Sequence, residues 1–326
     1  MAFKPKRRAM SKPRKPNSFR NKVILDMDPG VDDALAIGLA VKSGRFDILG
    51  ITAVCGNSTV HNTSRNALRV LHLLGRDDIA VYRGAQRPLK NKLDTTYSSQ
   101  WHGKDGLGDL NIPFSPRKLE KKSAHQFILD TLEQNPAGTV DIIATGPLTN
   151  LAHAIETDES VFRKVARIVM MSGAFGLTQY GKGNATPYAE FNVYTDPEAA
   201  SIVYSSGVPI CALGNDVAGN PVTGFSKTEY QALKGIGTPL ADLAYRATGS
   251  WHSAEGYVAL FDPLAVALAG WPELFTTEKR NVHVELSGER RGQTATTQDK
   301  NSSEIDIATS VDAPKFKKLM MKALMP

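Results

Sequence analysis

Short apolar runs alternate with helix-like segments along most of the chain. The run VILDMD precedes VDDALAIGLAVKSG, whose apolar residues recur at helical spacing and stop at Gly44. The same order recurs in FDILGITAV before TSRNALRVLHLLG, in VDIIATG before LTNLAHAIE, and in RIVMMSG before DPEAASIVYSSG and PICALG. The strand-like runs are rich in Ile and Val and lack alternation, which is typical of strands buried on both faces. We therefore predict an α/β fold with an open, mostly parallel, doubly wound (Rossmann-like) sheet and helices on both faces.

The pattern changes after Gly214. Several helix-like segments are followed by the strand-like NVHVELSG and EIDIATSV and by a final helix, APKFKKLMMKAL, so we expect extra helices and small strands in the C-terminal third. Two connections, 84–122 and 172–196, are longer than simple turns. Loops of this length in a compact domain are usually functional or disordered. Because both contain residues that can grip a polar ligand, we favour a functional role.

The net charge of +6 is concentrated at the N-terminus. Nine Lys and Arg residues and no acid lie in 1–22, so the rest of the chain carries a net charge of −3. We predict that residues 1–22 form a disordered basic tail and that residues 23–326 form a single domain. The acidic body argues against an extended nucleic-acid groove. Polyanion binding or targeting stays open for the tail alone.

Composition also bears on location and redox state. The chain has no window of eighteen consecutive apolar residues and no apolar secretory signal. We therefore predict neither membrane insertion nor export, and a cytoplasmic location. Cys55 and Cys211 both lie in apolar, strand-like runs, which favours buried, reduced thiols over a disulfide or metal ligands.

Four aspartates crowd the first strand–helix junction, in DMDPGVDD. Asp26 and Asp28 are two residues apart and face the same side of a strand. Asp32 and Asp33 fall in the first helical turn, where the helix dipole favours negative charge, and the intervening 29–30 turn folds the two pairs together. An oxygen-only set of ligands, without nearby His or Cys, favours calcium or magnesium. The alternative is a helix-capping aspartate with solvated neighbours.

Later motifs offer further polar ligands. ATGPLTN places Thr145 at the end of a buried strand, where its backbone carbonyl can face the same crevice. LFDPLAVALAG places Asp262 at the start of a helix, a position that by itself would indicate a helix cap. GNATPYAEFN carries amides and a carboxylate that can accept from and donate to sugar hydroxyls, at Asn184, Glu190 and Asn192.

Together these motifs resemble the calcium-dependent nucleoside N-ribohydrolases, also called inosine-uridine nucleoside hydrolases. The family opening D-x-D-P-G-x-D-D-A is matched by DMDPGVDDA. The motifs GN at Gly56, HGKDGL, TGPLTN, GNATPYAEFN and FDP follow in the family order, so the resemblance runs from about Val23 to the C-terminus. It implies a small-molecule nucleoside substrate, hydrolysis of the N-glycosidic bond to free base and ribose by calcium-bound water, and a homodimer or homotetramer.

The resemblance also implies individual roles. Asp28 is expected to be both a Ca²⁺ ligand and the general base that takes a proton from water. Asp33, the Thr145 carbonyl and Asp262 are expected to complete the protein's share of the calcium shell, with Asp26 as a supporting residue behind it. A carboxylate-rich pocket stabilises the positive charge that develops on the ribose ring. The residues expected to hold the ribose hydroxyls are Asp32, Asn57, Asn184, Glu190 and Asn192.

One position departs from the common family pattern. Many members carry His immediately before the last calcium aspartate, where it can protonate the departing base, but this chain has Phe261. An aromatic ring there, with Trp101 on the other face of the base, suits stacking, so we favour purine nucleosides. His102 is a candidate catalytic acid. Its alternative role is to fix the backbone of its loop.

Two segments of the chain also resemble motifs of other protein classes. Haloacid-dehalogenase-like magnesium phosphatases also open with a strand and a D-x-D motif. In that family the residue two positions after the second Asp is usually Thr or Val, whereas here Asp28 is followed by Pro29 and Gly30. GLTQYGKG has the glycine and lysine spacing of a phosphate loop, but Gly183 stands where Ser or Thr should hold magnesium. A non-catalytic nucleoside-binding or nucleic-acid-binding protein is a further alternative, and the full set of expected calcium ligands argues against it.

Overall fold

The computed structural model describes residues 21–297 and 304–326. Nine strands form one sheet in these residues: β1 Asn21–Met27, β2 Phe46–Ala53, β3 Val81–Arg83, β4 Val140–Ala144, β5 Arg167–Met171, β6 Ile210–Leu213, β7 Phe275–Val284, β8 Thr294–Thr297 and β9 Glu304–Val311. Their order is β3-β2-β1-β4-β5-β6-β9-β7-β8. Strands β1 to β6 and β9 run parallel, whereas β7 is antiparallel to β8 and β9. The predicted α/β fold with a mostly parallel sheet is confirmed.

Fourteen α-helices connect and cover these strands in the described residues. They are α1 Val31–Ser43, α2 Val60–Leu73, α3 Ser99–His102, α4 Ala124–Gln134, α5 Thr149–Thr157, α6 Glu159–Phe162, α7 Phe191–Thr195, α8 Pro197–Tyr204, α9 Asn215–Ala218, α10 Lys227–Leu233, α11 Pro239–Ala247, α12 Gly249–Glu255, α13 Phe261–Gly270 and α14 Ala313–Leu324. None of these helices has the length and apolar character that spanning a bilayer requires.

The sheet separates two apolar cores. Along β1, Val23, Leu25 and Met27 pack into one core and Ile24 packs into the other, as the alternation of side chains on a strand requires. The first core is covered by α1, α2, α10, α11, α13 and α14, and the second by α4, α5, α6 and α8. Burial on both faces explains why the strand sequences lack polar alternation.

Helix α1 has definite signals at both ends. Its amino terminus is stabilised by the Asp33 carboxylate, which accepts a hydrogen bond from the Gly30 backbone N–H at 2.9 Å. The helix ends at Gly44, whose φ of 68° lies in the left-handed region that glycine adopts without steric cost. The first turn of α1 carries the last two acidic residues of the DPGVDD motif, Asp32 and Asp33.

The direction of strand connection reverses between β1 and β4, which lie side by side. In open α/β sheets, ligands bind beyond the carboxyl ends of the strands at such a reversal. Asp28 directly follows the last residue of β1, and Thr145 directly follows the last residue of β4. The fold therefore brings these two motifs, which are distant in sequence, to one edge of the sheet.

Several details differ from the sequence predictions. Strand β1 begins at Asn21, so the last two residues of the predicted 1–22 tail belong to the sheet, and residues 1–20 lie outside the described residues. The C-terminal strands β7 and β9 join the main sheet, because β9 pairs with β6. Sequence analysis did not identify β3, α4 or β8. Both thiols are free, and Cys55 is buried as predicted, whereas Cys211 is only partly buried.

Candidate active site

Asp28 is held tightly at the end of β1. Its Oδ2 accepts a hydrogen bond from the Asn57 backbone N–H at 2.7 Å. Two glycines pack against the same carboxylate: a Cβ on Gly56 would lie 2.0 Å from Oδ2, and a Cβ on Gly146 would lie 2.9 Å from Oδ1. Oδ1 is buried and has no hydrogen-bond partner in the described part of the chain. One oxygen of Asp28 is therefore fixed by the backbone, and the other is left without a protein donor.

Asp33 is fixed from three sides. Besides the Gly30 N–H, its Oδ2 accepts from the Asn57 side-chain amide at 3.1 Å, and its Oδ1 accepts from the Thr145 hydroxyl at 2.8 Å. The Asn57 amide also donates to the Asp28 backbone carbonyl at 3.3 Å. Asn57 and Thr145 thus link the aspartate turn to the ends of two neighbouring strands.

Three carboxylates form a compact cluster. Asp32, Asp33 and Asp262 each offer an oxygen within 4.8 Å of the others, and all three are buried. Burial and mutual repulsion raise the pKa of Asp32 to about 7 and raise the pKa values of Asp28 and Asp262 well above the usual range. So many buried acids repel one another unless a cation lies between them.

The cluster fits a hard divalent cation. The Asp32 Oδ1, like that of Asp28, is buried without a hydrogen-bond partner among the described residues, which is rare for a buried oxygen. All of the available donor atoms are oxygens, the ligands that calcium and magnesium prefer. Buried carboxylates thus lie together where the sequence predicts an acidic metal site, and the cluster contains Asp32, which was predicted to bind ribose, besides Asp33 and Asp262.

Asp26 lies apart from this cluster. Its Oδ1 accepts hydrogen bonds from the Thr52 hydroxyl at 2.6 Å and the Asn150 amide at 2.8 Å. Burial raises its pKa to about 7, although these two donors lower it. The supporting role of Asp26 stays a prediction, and these two donors show what holds its carboxylate in place.

The GNATPYAEFN motif forms another side of the site. Glu190 caps α7 and accepts hydrogen bonds from the backbone N–H groups of Gly173, Asn192 and Val193. Burial raises the Glu190 pKa to about 7 against the effect of these donors. The Asn192 amide donates to the carbonyls of Thr145 at 2.8 Å and Met171 at 3.0 Å, which ties the ends of β4 and β5 together.

A cavity of about 410 Å³ is lined by Asp32 and Asp262 of the carboxylate cluster and by Glu190. Its wall contains the residues predicted to bind ribose, namely Asp32, Asn57, Asn184, Glu190 and Asn192, and also Thr145 and Asp262. Asn184 is more exposed than the others, and its Oδ1 accepts from the Phe191 N–H at 2.8 Å. The structure therefore brings residues of the aspartate turn and of the GN, TGPLTN, GNATPYAEFN and FDP motifs to one cavity.

Aromatic rings form another part of the wall. Trp101 and Phe261, the predicted base-stacking residues, both line the cavity. Between them lies Trp251, whose ring centroid is 6.3 Å from Trp101, 6.4 Å from Phe261 and 5.4 Å from His102. Sequence analysis missed Trp251, because no motif or spacing marks it. Further lining residues were not predicted from the sequence; they lie before α3, on the 174–183 loop, on α9, at the end of α12 and just after it, namely Tyr97, Tyr180, Lys182, Asn215, Glu255 and Tyr257.

His102 contacts the aspartate turn. Its Nδ1 accepts a hydrogen bond from the Val31 N–H at 3.1 Å and lies 3.9 Å from Asp32 Oδ1. Burial lowers its pKa to about 3, so the ring is neutral near pH 7. With Nδ1 accepting, the ring proton is on Nε2. A Cβ on Gly30 would lie 2.6 Å from Nδ1, so only glycine lets the ring pack this closely. These contacts fit the backbone-fixing role.

The chain matches the family model described as inosine-uridine preferring nucleoside hydrolase over residues 23–318. It belongs to the nucleoside hydrolase family. This nucleoside hydrolase is 35% identical over 321 residues to probable uridine nucleosidase 2 of Arabidopsis thaliana, covering 94% of this chain and 98% of the relative. It is 40% identical over 273 residues to the pyrimidine-specific ribonucleoside hydrolase RihA of Citrobacter koseri, covering 82% and 84%.

Solved structures agree with this assignment. A plant nucleoside hydrolase, PpNRh1, superposes with a TM-score of 0.87 at 31% identity, covering 94% of this chain and 99% of that chain. A purine-preferring ribonucleoside hydrolase from Gardnerella vaginalis gives 0.85 at 34% identity, covering 93% and 98%. The predicted family, fold and enzyme class, a hydrolase that acts on N-glycosyl compounds, are confirmed. Membership also argues against the magnesium phosphatase alternative.

Proposed function

We propose that this nucleoside hydrolase cleaves the N-glycosidic bond of ribonucleosides with a calcium ion held by Asp28, Asp33, Asp262 and the backbone carbonyl of Thr145. The observation that carries the proposal is the group of buried carboxylates with partnerless oxygens beside the cavity. Such a group is stable when a hard cation neutralises it. The cavity has the volume of a small-molecule site and polar groups that suit a sugar.

Asp28 is the proposed general base. A bound calcium ion supplies positive charge that positions water and the ribose 2′- and 3′-hydroxyls and favours ionised carboxylates. The Asn57 backbone N–H already donates a hydrogen bond to Asp28 Oδ2. Oδ1 is therefore the oxygen that is available to take a proton from the attacking water. Direct attack by water inverts the anomeric carbon, and no covalent nucleophile is needed.

The ribose side of the cavity stabilises the transition state. Positive charge develops on the ribose ring as the bond to the base breaks, and the carboxylates of Asp32 and Glu190 lie in the cavity wall. Glu190 is preoriented by the backbone donors that it already accepts. Together with the amides of Asn57, Asn184 and Asn192, these carboxylates are proposed to hold the hydroxyl groups.

We propose a preference for purine bases. Rings at 101, 251 and 261 give an aromatic surface that suits a two-ring base. The relatives are divided, since those named above include uridine, pyrimidine-specific and purine-preferring enzymes. We propose that His102 also donates to the departing base: Nδ1 is used by the Val31 N–H, whereas Nε2–H belongs to a ring that lines the cavity and is neutral because burial lowers its pKa to about 3.

A ribose-release assay tests the function. Purified protein is incubated with inosine, guanosine, uridine and cytidine, with and without a calcium chelator and with and without phosphate. We expect ribose without phosphate, loss of activity with the chelator, and higher kcat/KM for the purine nucleosides. A strict phosphate requirement would contradict hydrolysis, and a uridine preference would contradict the base assignment.

A pair of phenylalanine variants tests the base site separately. Phe261→Ala should lower kcat/KM for inosine by about tenfold, because it removes a ring contact to the base. Phe114→Ala is the matched control, since Phe114 is 62% exposed and lies outside the cavity wall. The homodimer or homotetramer and the cytoplasmic location stay predictions. Light scattering of the purified protein measures the oligomeric state.

A further inference from the structure

The 174–183 loop, which follows β5 and leads to Asn184, folds around one buried carboxylate. Asp216 Oδ2 accepts from the Phe175 N–H at 2.8 Å, and its Oδ1 accepts from the N–H groups of Leu177 at 2.6 Å and Thr178 at 3.1 Å. Asp216 is only 2% exposed. Three backbone donors of one loop therefore converge on a single side chain from the start of α9.

The first two residues of α9 make further hydrogen bonds with the 174–183 loop. The Thr178 hydroxyl donates to the Asp216 backbone carbonyl at 2.7 Å, and the Asn215 amide donates to the Lys182 carbonyl at 2.8 Å. A Cβ on Gly181 would lie 2.1 Å from Asp216 Oδ1. The loop thus passes so close to the carboxylate that glycine is required at 181.

This arrangement explains why GLTQYGKG has the spacing of a phosphate loop. Successive backbone N–H groups in a tight loop form a concave site for an anion. Here the anion is a carboxylate of the same chain, and Gly176 supplies the left-handed turn with a φ of 71°. The N–H groups of Phe175, Leu177 and Thr178 are consequently committed to an internal partner, in place of an external phosphate.

The anchored loop forms part of the proposed nucleoside site. Gln179, Tyr180, Lys182 and Gly183 line the cavity, whereas Asp216 does not. We propose that Asp216 is a positioning residue that preorganises the 174–183 loop for nucleoside binding. The inference rests on the proposed function, and it assigns Asp216 an effect on substrate affinity, with no contact to the reacting atoms.

Asp216→Asn is the informative variant. It preserves size but places an amide NH₂ against backbone N–H donors, so at least one of the three bonds is lost. We expect KM for the best nucleoside to rise about tenfold with kcat changed by less than about threefold, because the proposed base and calcium ligands lie on other elements. Trypsin cleavage after Lys182, an exposed residue, should also become faster.

Asp196→Asn is the matched control. Asp196 is also a buried carboxylate with three donors, the N–H groups of Leu89 and Ala199 and the Thr149 hydroxyl, but it does not line the cavity. Its loss should lower Tm while KM and cleavage after Lys182 stay at wild-type values. Equal changes in both variants would show a general loss of stability and overturn the proposal.

The remaining outcomes are also decisive. Wild-type KM and wild-type cleavage in Asp216→Asn would overturn the positioning role. If wild-type protein releases no ribose, the proposed function fails, and the trypsin comparison alone decides whether Asp216 anchors the loop. If Asp216→Asn does not fold, Thr178→Val removes the hydroxyl bond to the Asp216 carbonyl and should change KM and cleavage in the same direction by a smaller factor. No change in Thr178→Val then refutes the inference.

Discussion

Gly56→Ala should damage catalysis because no space exists for a methyl group beside Asp28. The added Cβ would lie 2.0 Å from Asp28 Oδ2 and 2.8 Å from Pro147 Cδ. Real Cβ atoms essentially never approach another heavy atom within 3.0 Å. The carboxylate must therefore shift by about 1 Å, a displacement large enough to disturb a catalytic geometry. The 2.7 Å hydrogen bond from the Asn57 N–H would be lost or lengthened.

The expected magnitude follows from that displacement. A shift of about 1 Å in a reacting group can lower the rate about 100-fold, which corresponds to about 2.7 kcal/mol in activation free energy. Overpacking a closely packed site also destabilises the fold by about 1–3 kcal/mol. Because Asp28 is both the proposed base and a proposed calcium ligand, kcat and calcium affinity should fall together.

Ribose release, calcium titration by calorimetry and thermal unfolding measure these three effects. Gly235→Ala is the matched control, since its added Cβ would meet only the Ala232 carbonyl oxygen at 3.8 Å. The control should keep wild-type kcat and calcium affinity. If Gly56→Ala also keeps both, then Asp28 does not have the proposed roles or its carboxylate is not confined as described.

Three further perturbations test other parts of the site. Asp28→Ala should lower kcat by at least about 1,000-fold and weaken calcium binding, because it removes the base and a ligand, and near-normal turnover would exclude Asp28 as the base. A calcium chelator should lower Tm and added calcium should restore it, since the buried carboxylates lose their counter-charge, whereas an unchanged Tm argues against an ion in the cluster. Trp251→Ala should raise KM about tenfold. Trp251→Phe should raise KM by a smaller factor, because the phenylalanine ring keeps part of the aromatic surface. Equal KM values in both variants and the wild type would exclude Trp251 from substrate binding.

Local sequence patterns predicted much of the fold and indicated where the carboxylate cluster lies. Asp28, Thr145 and Asp262 each lie where an element begins or ends, and strand and helix signals mark those points within a few residues. Parallel strands then bring their carboxyl ends to a common edge, so local signals were enough to place these groups near one another. Strand β3 was missed because three residues carry too little pattern to identify a strand.

The contacts of Asp216 and Trp251 join segments that are far apart in the sequence, and no local pattern predicts such contacts. Asp216 binds the Leu177 N–H from 39 residues away, and the relevant feature of Leu177 is a backbone group that every residue except proline has. Trp251 meets Trp101 and Phe261 because the fold brings α3, α12 and the start of α13 to the same cavity. These positions follow from tertiary packing, which a single sequence without spacing signals does not specify.

The position of Asp262 has a consequence for how the protein is made. The carboxylate cluster combines Asp32 and Asp33, near the start of the described chain, with Asp262 on α13, which follows β6 in the sequence. A growing chain on the ribosome carries the first two acids long before it carries the third. The complete carboxylate cluster therefore arises only late in synthesis, and truncated chains lacking α13 cannot form it.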